Sequence, residues 1–297
     1  MLQTLYDGFL ASMLVTVNAI TGQMAAALAG PISVAATIYI IGYGLFLMRG
    51  GPTGGALDFA IQALKLGIIV TLVSNVGEYN TWVGDTILTA IPDFISSLTA
   101  GPGATAPWDG VIARAGAVAE EIKSQYGSFN LAGQIFAAVM SFVLYCFAIG
   151  FASVATVVTL IANFGLALMA ALGPLFVAFA LFEFTRGWFF SWLGQVVNFA
   201  ILQLLVTILA IFTTAFIGDV FTSVDGIEAT QAVIYMAIGL MICTIFFFLL
   251  PGIAAALSAG AQSSTGAAQR VAERALFRRG SGGGGGGGGG SGRATRA

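Results

Sequence analysis

One uncharged stretch decides the fold class: residues 131–182 read LAGQIFAAVMSFVLYCFAIGFASVATVVTLIANFGLALMAALGPLFVAFALF. Residues 124–130 are uncharged as well, so that no charge lies between Lys123 and Glu183. Drawn as a single helix, residues 124–182 would be ~88 Å long, nearly three times the ~30 Å hydrocarbon core of a bilayer. We therefore expect this run to lie in a membrane and to turn within it.

The overall composition supports the same fold class. Hydrophobic residues make up 58% and charged residues 8% of the 297 positions, whereas charged residues make up roughly 25% of an ordinary soluble domain. The chain has no histidine, and Cys146 and Cys243 both lie in apolar runs, as buried thiols do. No zinc or haem site, P-loop or hydrolase motif can be drawn. The sequence predicts an all-α polytopic membrane protein that is not an enzyme and has no cofactor.

The apolar runs predict about five transmembrane helices, each near the roughly 20 residues that cross a bilayer. Lys65 falls inside the second span, where we expect its ammonium to reach the headgroups, with a functional, lumen-facing lysine as the alternative. The predicted spans are 30–48, 60–76, 131–160, 188–217 and 232–250.

The spans divide the chain into five parts. The long segment between the second and third spans carries six acidic and two basic residues, and we expect amphipathic helices at 79–98 and 108–126. The tail includes nine consecutive glycines, 282–290, which predict disorder. The parts are an amphipathic N-terminal helix (1–29), a first transmembrane pair (30–76), an acidic periplasmic loop (77–130), a hydrophobic C-terminal transmembrane region (131–255) and a basic, glycine-rich cytoplasmic tail (256–297).

The turn within the uncharged run is predicted at Gly173-Pro174, because proline interrupts a helix. Residues 164–182 would then form a re-entrant or interfacial segment; the alternative is a sixth full span. Basic residues favour the cytoplasmic side of a membrane, which places the arginine-rich tail inside. With five spans, the N-terminus is then periplasmic and Glu183 lies on the cytoplasmic side.

Polar side chains form a stripe along the span 188–217. They lie within about half of the helix circumference, and we expect this face to point inward, because amides are costly against lipid. The stripe either packs against other helices or lines a polar passage. Its members are Gln195, Asn198, Gln203, Thr207, Thr213 and Thr214.

Charged and aromatic residues cluster just before that stripe. Glu183 and Arg186 are three residues apart and can pair on one helix face. Trp188 and Trp192 follow within a dense run of phenylalanines. This composition is typical of an interfacial aromatic belt, and a docking site for another subunit is the alternative.

The residues 172–198, LGPLFVAFALFEFTRGWFFSWLGQVVN, resemble a hallmark segment of the TrbL/VirB-type polytopic inner-membrane subunit of bacterial type IV secretion and conjugation systems. The layout of most of residues 1–255 is similar to that family too. The resemblance implies a non-enzymatic, homo-oligomeric component of the translocation channel in the inner membrane. Its implied partners are the periplasmic stalk and pilus, other inner-membrane subunits, cytoplasmic ATPases, membrane lipid, and single-stranded DNA or protein substrates in transit.

Two other functions remain as alternatives. One is a secondary transporter or channel for a small solute, because broken helices at mid-membrane are typical of such proteins. The other is a passive scaffold that assembles the pilus without touching the substrate.

Overall fold

The computed structural model describes residues 2–48, 55–99, 106–126, 130–182, 184–223 and 229–278. Every regular element in these ranges is helical. Residues 80–84 and 86–90 form π-helical turns between α3 (Val76–Tyr79) and α4 (Ile91–Thr99). We call α3, these turns and α4 together the 76–99 segment. The helices are α1 (Leu2–Met48), α2 (Gly55–Ser74), α3 (Val76–Tyr79), α4 (Ile91–Thr99), α5 (Ala106–Gln125), α6 (Leu131–Phe179), α7 (Arg186–Ser223) and α8 (Ala229–Arg278).

Helices α6, α7 and α8 form the centre of the protein. Short connections join α6 to α7 and α7 to α8, so each pair is antiparallel and α6 runs parallel to α8. Small residues permit close approach: a Cβ on Gly165 would overlap the ring of Phe199, and one on Gly239 would overlap the ring of Phe216. Close packing of small residues replaces the hydrophobic effect as the main attraction between helices inside a membrane.

The two halves of α6 pack against different neighbours. Its N-terminal half forms a core with α5, α7 and α8, centred on Trp108, Phe151 and Phe247. Its C-terminal half forms a second core with α1, α2, the 76–99 segment and the start of α7. Asn163 donates a hydrogen bond to Tyr6 Oη at 2.6 Å and thereby attaches α1 to α6.

The spans agree with the sequence. Among the residues that the structure describes, four helices are long and apolar enough to cross a membrane, and a shorter apolar helix covers Ala63–Ser74. The four are Tyr6–Leu45, Leu131–Phe179, Arg186–Gly218 and Val233–Ala259. These observations confirm an all-α, multi-pass membrane protein with about five spans. Helices at 76–99 and 106–125 confirm the two helices predicted within 77–130.

The helix boundaries differ from the prediction in three places. Helix α1 continues through Pro31, so the N-terminal amphipathic stretch and the first span are one helix. Helix α8 continues through Pro251 to Arg278, which makes the first part of the predicted tail helical, while the nine glycines lie outside the described residues. Helix α6 continues through Gly173 and Pro174 to Phe179.

The predicted helix break at Gly173-Pro174 is therefore wrong. Residues 164–179 are the end of α6 and not a separate re-entrant segment, and one continuous helix leaves no room for a sixth span. Its 49 residues measure ~74 Å, so α6 extends well beyond the hydrocarbon core. The chain turns instead after Phe179, whose carbonyl accepts a hydrogen bond from Thr185 Oγ1 at 2.7 Å.

Candidate functional site

The 76–99 segment contacts α6 next to Pro174. Proline has no backbone N–H, so the carbonyl four residues earlier, that of Ala170, loses its helical donor. Tyr79 supplies the missing donor: its Oη lies 2.6 Å from the Ala170 carbonyl oxygen. Tyr79 is 0% exposed, and a carbonyl left without a partner at such a place would be costly. A side chain distant in sequence thus keeps α6 helical through its proline.

Gly173 makes room for this tyrosine. A Cβ at position 173 would overlap Tyr79 Oη and the adjoining ring carbon. The Gly-Pro pair therefore does two things at one place: Pro174 frees a carbonyl, and Gly173 lets the phenol reach it.

Trp192 of α7 packs against the same part of α6. Its Nε1 donates to the Met169 carbonyl at 3.0 Å, and its ring stacks on Phe176 with centroids 6.2 Å apart. A tyrosine phenol is protonated at neutral pH, so Tyr79 is able to donate. We call Tyr79, Ala170, Gly173, Pro174 and Trp192 the Pro174 joint.

The joint predicts a specific coupling between Tyr79 and Pro174. Tyr79→Phe should lower the free energy of unfolding by about 1–3 kcal/mol, because a buried carbonyl loses its donor. In a Pro174→Ala background the new backbone N–H can bond to Ala170, so the same substitution should cost at least about 1 kcal/mol less. A double-mutant cycle by thermal unfolding in detergent measures the difference.

Tyr235→Phe is the matched control, because Tyr235 is exposed on α8. Equal costs of Tyr79→Phe in the two backgrounds would contradict the assignment of Tyr79 as the substitute donor.

The polar stripe of α7 is divided between interior and surface. Gln203 and Thr213 are buried, Asn198 and Thr207 are half-buried, and Gln195 and Thr214 are exposed on the protomer. A polar passage lined by the stripe stays a prediction, and Gln195 and Thr214 do not face the interior of the protomer. The reason is that the start of α7 is covered by the 76–99 segment and the end of α6, whereas its later part is covered by α5 and α8. The buried face consequently shifts around the helix.

The stripe's threonines are satisfied by their own helix. Thr207, Thr213 and Thr214 each donate to the carbonyl four residues earlier, at 2.8–2.9 Å, as hydroxyls in apolar helices commonly do. These residues need no polar passage to satisfy them.

The amides of the stripe are less well satisfied. Asn198 Nδ2 reaches Gln195 Oε1 only at 3.5 Å. Asn198 Oδ1 and Gln203 Oε1 are buried and have no hydrogen-bond partner among the described residues. Two buried acceptors on one helix can take hydrogen bonds from water or from another chain.

The aromatic and charged cluster before the stripe is likewise divided between the interior and the surface. Trp192 is 5% exposed and belongs to the joint, whereas Trp188 is largely exposed and packs edge-on against Phe179. The Arg186 guanidinium lies 5.4 Å from the centroid of the Phe190 ring. Glu183 lies outside the described residues, and so does its predicted pairing with Arg186.

Two central residues did not emerge as candidates from the sequence. Tyr79 sits in a polar segment and meets its partner 91 positions away. Trp108 begins α5, and the buried positions 108, 111, 115, 118 and 122 follow the spacing of a helix with one apolar face. That periodicity could have identified Trp108 as a packing residue; no local signal identifies Tyr79.

The described residues contain no group of three or more His, Cys, Asp and Glu side chains placed to hold a metal ion. The geometry does bring together the Pro174 joint and the amide pair Gln195–Asn198. Both are suited to helix association.

Comparison with known proteins identifies the family. The family described as "TrbL/VirB6 plasmid conjugal transfer protein" matches residues 36–251. "Type IV secretion system protein VirB6" of Bartonella henselae is 26% identical over 251 residues, covering 82% of this chain and 75% of that protein. The Bartonella quintana protein of the same name is 26% identical over 252 residues with the same coverage. "Protein VirB6" of Agrobacterium fabrum is 26% identical over 204 residues, covering 66% of this chain and 65% of its own length. The family match spans most of the chain: it begins within α1 and includes α2 and the Pro174 joint. The chain belongs to the TrbL/VirB6 family of plasmid conjugal transfer proteins.

Proposed function

We propose that this chain is an inner-membrane subunit of a type IV secretion system. In that system it forms part of the channel or its scaffold and supports transfer of DNA–protein or protein substrates and assembly of the pilus. The family match over residues 36–251 carries the proposal, and the names of the relatives support it. Its partners are other subunits of the system, including cytoplasmic ATPases that supply energy, and further copies of itself.

Deletion tests this function. A strain that lacks the chain should lose conjugation or secretion, and the chain supplied from a plasmid should restore it. The tagged chain should also co-purify with other envelope subunits of the system. A deletion strain with normal transfer, together with a purified monomer that moves a small solute across vesicles, would favour a solute transporter instead.

Gln195 and Thr214 of the stripe are proposed to face neighbouring subunits or the substrate passage. Gln195 and Thr214 are exposed on a helix that crosses the membrane, where polar groups are costly against lipid. A photo-crosslinking residue at position 195 should therefore react with protein or transiting substrate. The same residue at Val157, an exposed apolar position of α6, should react mainly with lipid.

The N-terminus is proposed to be periplasmic and the C-terminus cytoplasmic. Arginines are concentrated after residue 269, and such residues favour the cytoplasmic side. Because α6 and α8 run parallel, the α6–α7 turn lies on the same side of the membrane as the C-terminal end of α8.

Cysteine labelling tests this orientation at the two ends of α6. In a chain with Cys146→Ser and Cys243→Ala, Leu131→Cys should react with an impermeant maleimide on intact spheroplasts. Phe184→Cys, at an exposed position between α6 and α7, should react only after the membrane is permeabilised. Both positions are exposed, so the side of the membrane decides the labelling. The reverse pattern would place the C-terminus in the periplasm.

A further inference from the structure

An apolar cleft lies between α2, the 76–99 segment and the start of α7. Its volume is about 720 Å³, within the range of roughly 300–1,000 Å³ that is usual for small-ligand pockets. Of the 17 lining residues, only Lys65 and Thr86 have a polar side chain that is not aromatic. The walls include Lys65, Ile68, Trp82, Ile87, Trp192 and Val197.

The cleft has a buried floor and an exposed mouth. Ile87 and Trp192 of the floor are buried, whereas Ile68, Val197 and Trp82 at the mouth are exposed, Trp82 by 67%. A wide opening rimmed by exposed apolar side chains is what a membrane-spanning protein presents to lipid. The occupant must therefore be apolar along its length and must enter from the bilayer.

The rim carries the groups that recognise a lipid headgroup. Lys65 lies on the cleft wall and is half-buried, so its ammonium can extend along the wall toward the interface. Lys65 has an interaction partner within the protein, but an ammonium carries three N–H donors and can serve two partners. Trp82 Nε1 donates to Glu78 at 3.0 Å, which gives its ring one apolar and one polar end, as in interfacial tryptophans.

We propose that this cleft binds one anionic phospholipid, with an acyl chain on the floor beside Trp192 and the phosphate held by Lys65. The site is separate from the secretion role and rests only on the chain's location in a membrane. It also lies directly against the Pro174 joint, since Trp192 belongs to both. A bound lipid would thus fill the space on the cleft side of that joint.

Quenching by brominated lipids tests the proposal, because Trp192 is 5% exposed and bromine can reach it mainly from inside the cleft. The full chain is placed in phosphatidylcholine vesicles, and its Trp192 signal is obtained by subtracting the emission of Trp192→Phe. Phosphatidylglycerol with brominated acyl chains should reach half-maximal quenching at about a fivefold lower fraction than brominated phosphatidylcholine, the factor expected for one lysine at an anionic surface.

Two pairs of variants locate the site. Lys65→Gln should abolish the preference for phosphatidylglycerol, whereas Lys123→Gln, at the chain's other lysine on α5, should keep it. Val197→Phe should block quenching of Trp192 by filling the cleft, whereas Val157→Phe on α6 should leave it intact. Native mass spectrometry of the wild-type chain with equal amounts of both lipids needs no tryptophan variant. The retained adduct should be phosphatidylglycerol and should be lost in Val197→Phe.

Three results would overturn the proposal. The first is no quenching of Trp192, which would mean that protein covers the cleft or that the cleft stays empty. The others are equal quenching by the two lipids and an unchanged preference for phosphatidylglycerol in Lys65→Gln. Loss of transfer on deletion of the chain would leave each of these results unaffected, so the lipid site and the secretion function can fail separately.

Discussion

Replacing Gly173 by alanine is expected to lower the free energy of unfolding by roughly 1–3 kcal/mol. The new Cβ would overlap Tyr79 Oη, and overpacking of a buried contact costs about 1–3 kcal/mol. If Tyr79 moves away, the Ala170 carbonyl loses its donor, which costs about 1–3 kcal/mol. Thermal unfolding followed by size-exclusion chromatography in detergent measures the loss, and transfer frequency should fall with the amount of folded protein.

The control is another glycine of the same helix. A Cβ at Gly150 would have no atom within 4 Å, so Gly150→Ala should be neutral or should stabilise the chain by up to about 1 kcal/mol through helix propensity. In a Tyr79→Ala background the phenol is gone, and Gly173→Ala should then also become neutral or stabilising. A similar cost of Gly173→Ala with and without Tyr79 would show that the overlap is not its cause.

The fold class was predictable because it depends on local composition. Long runs without charge, such as 131–182, can be buried only in lipid or in a very large core, so the helical, multi-pass class follows directly. The two helices within 77–130 were also predictable, since apolar residues there recur at helical spacing. In both cases the residues that carry the signal are neighbours along one helix.

The Gly-Pro pair was misread for a reason that no local rule can correct. The sequence shows that Pro174 removes a backbone donor, and a break is the usual consequence. Whether another group replaces that donor depends on Tyr79, whose distance along the chain is 91 residues. The position of Gly173 beside the proline becomes meaningful only when the phenol that needs the space is known.

The α7 stripe shows a related limit of periodicity. Helical angles place Gln195 and Gln203 on the same broad face, yet the first is exposed and the second is buried. The difference arises because separate neighbours cover the two halves of α7. Angles around an axis are a property of one helix, whereas burial is a property of the set of helices around it. The same argument explains why Trp188 and Trp192, four residues apart, have opposite exposures.

Trp108→Ala is expected to destabilise the core that α5 and the N-terminal half of α6 form with α7 and α8. The expected cost is about 3–5 kcal/mol, which is usual for removing a fully buried tryptophan. Trp108 is 0% exposed. Its ring meets Phe151 of α6 edge-on with centroids 5.7 Å apart and Phe247 of α8 at 5.2 Å. The two phenylalanines also contact each other at 5.6 Å, so this one side chain joins α5 to the two parallel helices. Its removal should leave a cavity that three helices must close.

Two further variants are compared with Trp108→Ala: one keeps an aromatic ring without the indole N–H, and the other removes an exposed tryptophan. Trp108 Nε1 is buried and has no hydrogen-bond partner among the described residues, so Trp108→Phe removes a donor that contributes no bond and should cost much less than Trp108→Ala. Trp188→Ala, at an exposed tryptophan with one aromatic contact, should cost at most about 1.5 kcal/mol. All three are measured by thermal unfolding in the same detergent. If Trp108→Phe were as damaging as Trp108→Ala, the indole N–H would have to bind a group outside the described chain, and Trp108 would then mark a contact with a partner rather than a packing centre.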